Sequence, residues 1–257
     1  MIRNILVGAA ALCAASAAHA ATVTVNDVSG LPSATQWGTL PTENTGGGTA
    51  AVTTTAARSG NGSLEITGDR TRTQLGIQYV PFNTDLGALA DVTSLTFDWM
   101  IAPGSTNPYN VDYTPALRLL ILDGGSRKEL IWEGAYNGVY GPQTNPGVWY
   151  SSAAADKFYI TGGNVNQGQT IAQWAAQLSG ARVSAISVGV GSGTTTGYHA
   201  FADNVTLATT GGSTTWNFEA IGGVPEPSTW AMLILGFGTI GGAMRRRDKS
   251  SRLVFSA

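Results

Sequence analysis

Cysteine and histidine are nearly missing from this chain. Its 257 residues include one cysteine, Cys13, and two histidines, His19 and His199. Cys13 lies in an N-terminal segment with the layout of a removable leader, so the body can form neither a disulfide nor a thiolate site. With His199 as the one imidazole of the body, a histidine-rich metal centre is excluded. A Ser-His-Asp relay would have to run through His199, and no G-x-S-x-G elbow occurs to supply its nucleophile. His199, beside Gly197 and Tyr198, reads instead as a loop or strand-edge residue. Charge is also scarce, at 12% of residues against 34 glycines. That balance does not suit a helical bundle, which needs Glu, Lys, Leu and Ala with few glycines. Between Ala21 and Pro227 there are eight basic residues against fifteen acidic ones, a difference of −7. Such a body repels nucleic acid and anionic membrane, so neither is an expected partner.

The two ends carry the clearest signals. Arg3 opens the chain, Ile5 to Ala18 is uncharged and rich in Ala, Leu and Val, and Ala18-His19-Ala20 follows as a small-x-small triplet. Charge, apolar run and A-x-A in that order predict export, with signal peptidase cutting between Ala20 and Ala21. Leu12 stands directly before Cys13 where a lipid-attachment signal wants a small residue, so a lipoprotein is not expected. At the other end, Pro225-Glu226-Pro227 precedes Trp230-Ala231, a Gly- and Leu-bearing apolar run from Met232 to Met244, and Arg245-Arg246-Arg247. This is a rigid breaker, a membrane-seeking segment with an interfacial Trp, and a positive stop that keeps the arginines cytoplasmic and the body outside. The apolar run is short of the roughly 20 residues of a span.

Pro225-Glu226-Pro227 with Trp230-Ala231, the apolar segment and the arginine cluster resemble the PEP-CTERM sorting domain of Gram-negative bacteria, in its PEPxxWA form. The resemblance covers the last 25 to 30 residues of the sorting region. It implies recognition by a membrane-embedded exosortase, cleavage near the Pro-Glu-Pro triplet and transient anchorage in the inner membrane. It also implies delivery to the outer surface or an exopolysaccharide matrix. The tail from Asp248 to Ala257 is longer than such domains usually carry. The expected organisation is a signal peptide (1–20), a body (21–222), a sorting domain (223–247) and a tail (248–257).

Within the body, short strands alternate with turn signals. Ala21 to Val28 alternates Thr and Val, and Gly46 to Thr55 reads as a flexible loop. Ser63 to Ile66 leaves the turn Ser59-Gly60-Asn61-Gly62 as a strand, and Gln74 to Phe82 alternates again. Ser94 to Met100 has the clearest period of two, with Leu95, Phe97 and Trp99 on one face. Ala116 to Leu122 is more continuously apolar, as an inner strand should be. Glu129–Trp132, Val148–Tyr150, Lys157–Ile160, Val183–Val190, Phe201–Leu207 and Thr215–Phe218 are further strands. Ile171, Trp174, Ala175 and Leu178 stand at helical spacing, with Gly180 as a stop. The pattern predicts an all-β fold, a two-layer antiparallel β-sandwich with one short helix. Its expected core is Leu95, Phe97, Trp99, Leu117, Leu119, Ile121, Ile186, Val188, Phe201 and Val205. Gly62-Ser63-Leu64-Glu65-Ile66 and Ala202-Asp203-Asn204-Val205-Thr206-Leu207 loosely resemble strands of jelly-roll domains of the galactose-binding or concanavalin type.

Catalytic chemistry is poorly supplied, and the chain reads as a non-enzyme. Glu129 and Glu133 share one side of a strand, but at about 13 Å apart along it they are too far for a glycosidase pair. Asp203-Asn204 offers hard oxygens for a weak calcium site, the commoner reading being a polar pair at a strand edge; no other cofactor is expected. Two segments mix flat rings with Asn, Asp and Gly: Asn107 to Tyr113, and Trp132 to Tyr140 leading on to Trp149-Tyr150. Sugars present C–H faces to rings and hydroxyls to amides and carboxylates. Tyr109, Tyr113, Tyr136, Tyr140 and Trp149 are therefore candidate ligands for a polysaccharide. The alternatives are tryptophans that plug the sandwich and tyrosines that stiffen turns. They leave a structural surface or matrix protein and, less favoured, a secreted glycosidase-like enzyme.

Overall fold

The computed structural model describes residues 19–78, 83–107, 113–139, 144–221, 231–237 and 239–240. Fourteen strands form within these residues. They are β1 (His19–Val25), β2 (Trp37–Gly38), β3 (Gly46–Thr53), β4 (Ser63–Asp69), β5 (Arg72–Gly76), β6 (Gly87–Ala88) and β7 (Val92–Ile101). They continue as β8 (Ala116–Asp123), β9 (Ser126–Trp132), β10 (Tyr150–Ser151), β11 (Tyr159–Ile160), β12 (Arg182–Gly189), β13 (His199–Thr209) and β14 (Gly212–Phe218). The helix α1 (Ile171–Gln177) starts where expected. The Thr170 hydroxyl accepts from the Gln173 amide while the Gln173 side chain accepts from the Thr170 amide, satisfying two first-turn donors. Its Ile171, Trp174 and Ala175 are buried.

The strands form two stacked sheets, a jelly-roll-like sandwich. One, sheet A, runs β1-β14-β13-β4-β3, with β7 also on β13 and β10 on β7. The other, sheet B, runs β11-β9-β8-β12-β5-β2, with β6 on β12. One pair departs from the antiparallel expectation: β1 lies parallel to β14, Val23 opposite Trp216. The segment read as a loop from Gly46 is also a strand. β3 has no apolar alternation of its own and is ordered by pairing along β4, Ala50 opposite Ile66. Conversely β5 ends at Gly76, short of the expected Phe82.

Strand β13 changes partner along its length. Its first half pairs β4 and its second half β14, while β7 runs along the other edge. The change falls at Asp203-Asn204, where the register slips and Asn204 takes the left-handed conformation, φ 49°, which Asn tolerates better than most residues. Asp203 is fully buried and holds the junction: Oδ1 accepts from the amides of Asn204 and Phe218, and Oδ2 from that of Ser59. Asn204 in turn donates from Nδ2 to the Ser59 hydroxyl and the Asp98 carboxylate. The pair read as a calcium candidate thus sits inside a strand, with the Asp203 oxygens turned onto backbone donors.

Between the sheets lies one apolar core. Nine of the ten expected core residues belong to it, with Phe97 packed edge-on against Trp132 at 5.1 Å between ring centroids. Phe201 is buried but on the opposite side. Ala200 and Ala202 take the inward positions of β13, so alternation turns Phe201 outward, where Met100, Ala102, Ala56 and Trp149 cover it. The described part of the C-terminal segment, 231–237 and 239–240, is helical and exposed. Among the described residues no helix is long and apolar enough to cross a membrane.

Candidate functional site

Sheet B alternates between an apolar inner face and a polar outer one. Leu75, Ile186, Leu119 and Leu130 stand in one inward row across four strands. The next row outward is Gln74, Ser187, Arg118, Ile131 and Tyr159. Residues directly opposite in a ladder share a face, so Arg118 and Ser187 point together away from the core. The row beside it is Arg72, Gly189 and Ala116, and Glu133 follows directly on the end of β9. Gly189 lets the strands close up here, since a Cβ would run into the Thr71 carbonyl and Arg72.

Charge is concentrated on this face. Arg118 is 2% exposed, unusual for a cation. Its Nε lies 3.7 Å from Glu129, and Arg72 lies 3.8 Å from the same carboxylate and 3.2 Å from Glu43. The Glu129 contacts are ion pairs too long for hydrogen bonds. The Arg118 charge, with burial next, pulls the Arg72 pKa below its usual value; the two guanidiniums meet at the Glu129 carboxylate. Burial raises the Glu133 carboxyl above the usual range, opposed by the Arg118 charge and by a 3.1 Å hydrogen bond from the Tyr159 hydroxyl. Tyr159 is itself pushed up by burial and by Glu133. Tyr136, 38% exposed, stands edge-on to the Tyr159 ring at 5.4 Å. Two tyrosine rings, two arginines and three carboxylates therefore share one partly open face.

The sequence candidates divide among three places. Tyr136 belongs to the face just described. Trp149 lies on the outer face of sheet A, under the Arg58 guanidinium at 6.0 Å and against the Phe201 cluster. Tyr113 packs against the core, edge-on to Tyr198 at 6.3 Å. Tyr109 and Tyr140 lie outside the described residues. Trp132 does plug the sandwich, 1% exposed, with its indole donating to Asp156. His199 opens β13 with Nε2 2.7 Å from Glu65 Oε1. Burial would raise Glu65, but hydrogen bonds from Thr53, Thr55 and His199 hold it below the usual carboxylate range. Sequence reasoning missed Arg72, Arg118 and Tyr159. The signal for Arg118 was a lone cation inside the apolar run of β8.

Three shallow depressions elsewhere, of about 190, 230 and 300 Å³, follow β1 and β14. His19 lines two of them. The expected leader cut falls inside β1, where Ala20 pairs Ser213 and Ala21 pairs Thr214. The five strand residues from Ala21 keep their β14 partners without His19 and Ala20.

Pro225, Glu226, Pro227, Trp230 and Arg245 to Arg247 lie outside the described residues; Ala231 begins the exposed helical run. A family comparison decides what this segment is. Residues 223–247 match the PEP-CTERM protein-sorting motif. The PEP-CTERM match covers both the Pro-Glu-Pro triplet and the arginine stop. It makes the chain an exported cell-surface protein with an exosortase as its processing partner. No curated protein matches the chain.

Proposed function

We propose that the PEP-CTERM segment delivers a polysaccharide-binding module to the cell surface, and that the outer face of sheet B is its binding face. Signal peptidase frees Ala21, the apolar segment holds the chain transiently in the inner membrane, and the exosortase cuts near Pro225-Glu226-Pro227. The observation that carries the binding reading is the grouping of Tyr136 and Tyr159 with Glu133. The exposed Tyr136 ring, with the half-buried Tyr159 beside it, offers a stacking plane for sugar C–H faces, and adjacent carboxylates accept from hydroxyls. The site is lined by both, with the guanidiniums of Arg72 and Arg118 beside them.

Retention of the protein on an affinity column of its own exopolysaccharide tests this. A ring contact contributes about 1 kcal/mol, so Tyr136→Ala should weaken retention roughly fivefold to tenfold. Its thermal midpoint should hold, because Tyr136 is exposed. No retention of the unsubstituted protein on any polysaccharide of its matrix would remove the binding reading and leave a structural coat protein.

A further inference from the structure

Among the described residues, four polar groups on the outer face of sheet B are buried without a hydrogen-bond partner: Arg118 Nε, Arg118 Nη1, Arg72 Nε and Ser187 Oγ. Arg118 and Ser187 are 2% and 1% exposed and stand directly opposite each other on β8 and β12. Every one of these groups can donate, and the three guanidine nitrogens can only donate. Leaving a buried donor unmet costs more than a hydrogen bond normally contributes, so groups of this kind mark places built to be met by something else. The internal anion does not meet them. Glu129 stands 3.7 Å from Arg118 Nε and 3.8 Å from Arg72 Nη1, and Glu43 accepts from Arg72 Nη1, so charge is balanced while Arg118 Nε, Arg118 Nη1 and Arg72 Nε stay without a hydrogen bond. What meets donors on both arginines at once is an anionic acceptor with two oxygens, one turned to each guanidinium.

We infer that the polysaccharide recognised on this face is a polyuronate, its sugar carboxylate seated between Arg118 and Arg72 with Ser187 donating alongside. This rests on the polysaccharide-binding reading above and deepens it from a sugar surface to an acidic-sugar site. Tyr136 and Tyr159 then take the ring faces, while Arg118 and Arg72 select for the charge. The long-range field of the body works against such a ligand, since eight basic residues face fifteen acidic ones between Ala21 and Pro227. Selectivity for a polyanion by this protein must therefore be local, which makes the site separable from general electrostatic attraction.

The test uses the full-length chain in mild detergent and two immobilised polymers, a polyuronate and the same polymer after chemical reduction of its carboxyls to alcohols. The pair differs in charge and not in ring stacking. The polyuronate should be retained at least tenfold more strongly at physiological salt. Arg118→Gln and Arg72→Gln should each bring its affinity down to that of the reduced polymer. Arg118→Lys, which keeps the charge but not the fork, should fall between. Equal retention of both polymers, reduced alike by Tyr136→Ala, would overturn the uronate inference while the polysaccharide reading stands; the four donors would then hold ordered water. Retention of neither polymer would overturn the inference, and failure on native matrix polysaccharide as well would take the broader reading with it. Should a glutamine variant fail to fold, the wild-type contrast between the two polymers and the lysine variant still decide the matter.

Discussion

Asp203 provides a sharp test of how the sandwich is held together. Burial pushes its carboxyl up from 3.8 to about 6; the amides of Phe218, Asn204 and Ser59 oppose that, and the charge of Glu219 adds to it. In the folded chain the proton is therefore held more tightly than in the unfolded chain. Asp203 contributes stability that is fully present below about pH 4 and is lost as pH rises through about 6. A rise of about two units at about 1.4 kcal/mol each makes the swing about 3 kcal/mol. Asp203→Asn removes the titration. It also sets an amide N–H₂ against the Ser59 N–H, a donor facing a donor, at a cost of about 1–3 kcal/mol. Urea unfolding of residues 21–221, followed by tryptophan fluorescence from pH 4 to 7, reads both effects. The wild type should be the more stable at pH 4, and its advantage should shrink by about 3 kcal/mol by pH 7. Glu65, held low, pulls the slope of both proteins the other way and cancels in the difference. A difference constant with pH would refute the raised pKa. One that grows with pH would mean the three amides outweigh burial and keep Asp203 ionised.

Two further outcomes follow from the core and the tail. Phe97→Ala should cost about 3–5 kcal/mol by urea unfolding, because the ring is fully buried against Trp132; Phe97→Asp should leave no folded protein by circular dichroism, since a buried unpaired charge exceeds a domain's margin. Replacing Pro225, Glu226 and Pro227 with alanines should leave the full-length chain in the membrane fraction, read by immunoblot of membrane and released material. Unchanged release would mean that the PEP-CTERM match at 223–247 does not direct processing.

What the sequence discloses depends on how far apart the deciding residues lie. Leu95, Phe97 and Trp99 are legible because a period of two within one strand is a local property. The helix is legible for the same reason, with Ile171, Trp174 and Ala175 at helical spacing within one segment. Phe201 misleads because a large ring reads as core, whereas the inward positions of β13 belong to Ala200 and Ala202. The face of a strand is set by its neighbours, and small residues suffice where β4 and β7 crowd in from both sides. Strand β3 is illegible because its Gly, Thr and Ala carry no pattern, and only the edge of β4 makes them a strand.

The candidate site is the extreme case. Tyr136 and Glu133 stand close together in sequence and could be picked out from one segment. Their setting comes from four other strands: Arg72 from β5, Arg118 from β8, Ser187 from β12 and Tyr159 from β11. Arg118 interrupts an apolar run and Ser187 sits in another, so each alone reads as a blemish in a buried strand. Opposed across the β8–β12 ladder they become a pair of unmet donors on one face. A hydrophobic residue at either place would be the default in so buried a strand. Two polar residues facing each other there, beside a second arginine, leave buried donors that the ladder itself does not satisfy. Their placement follows from register, and register is fixed by the rows of Leu75, Ile186, Leu119 and Leu130 on the other side of the same sheet. The apolar pattern that could be read thus determines the polar arrangement that could not.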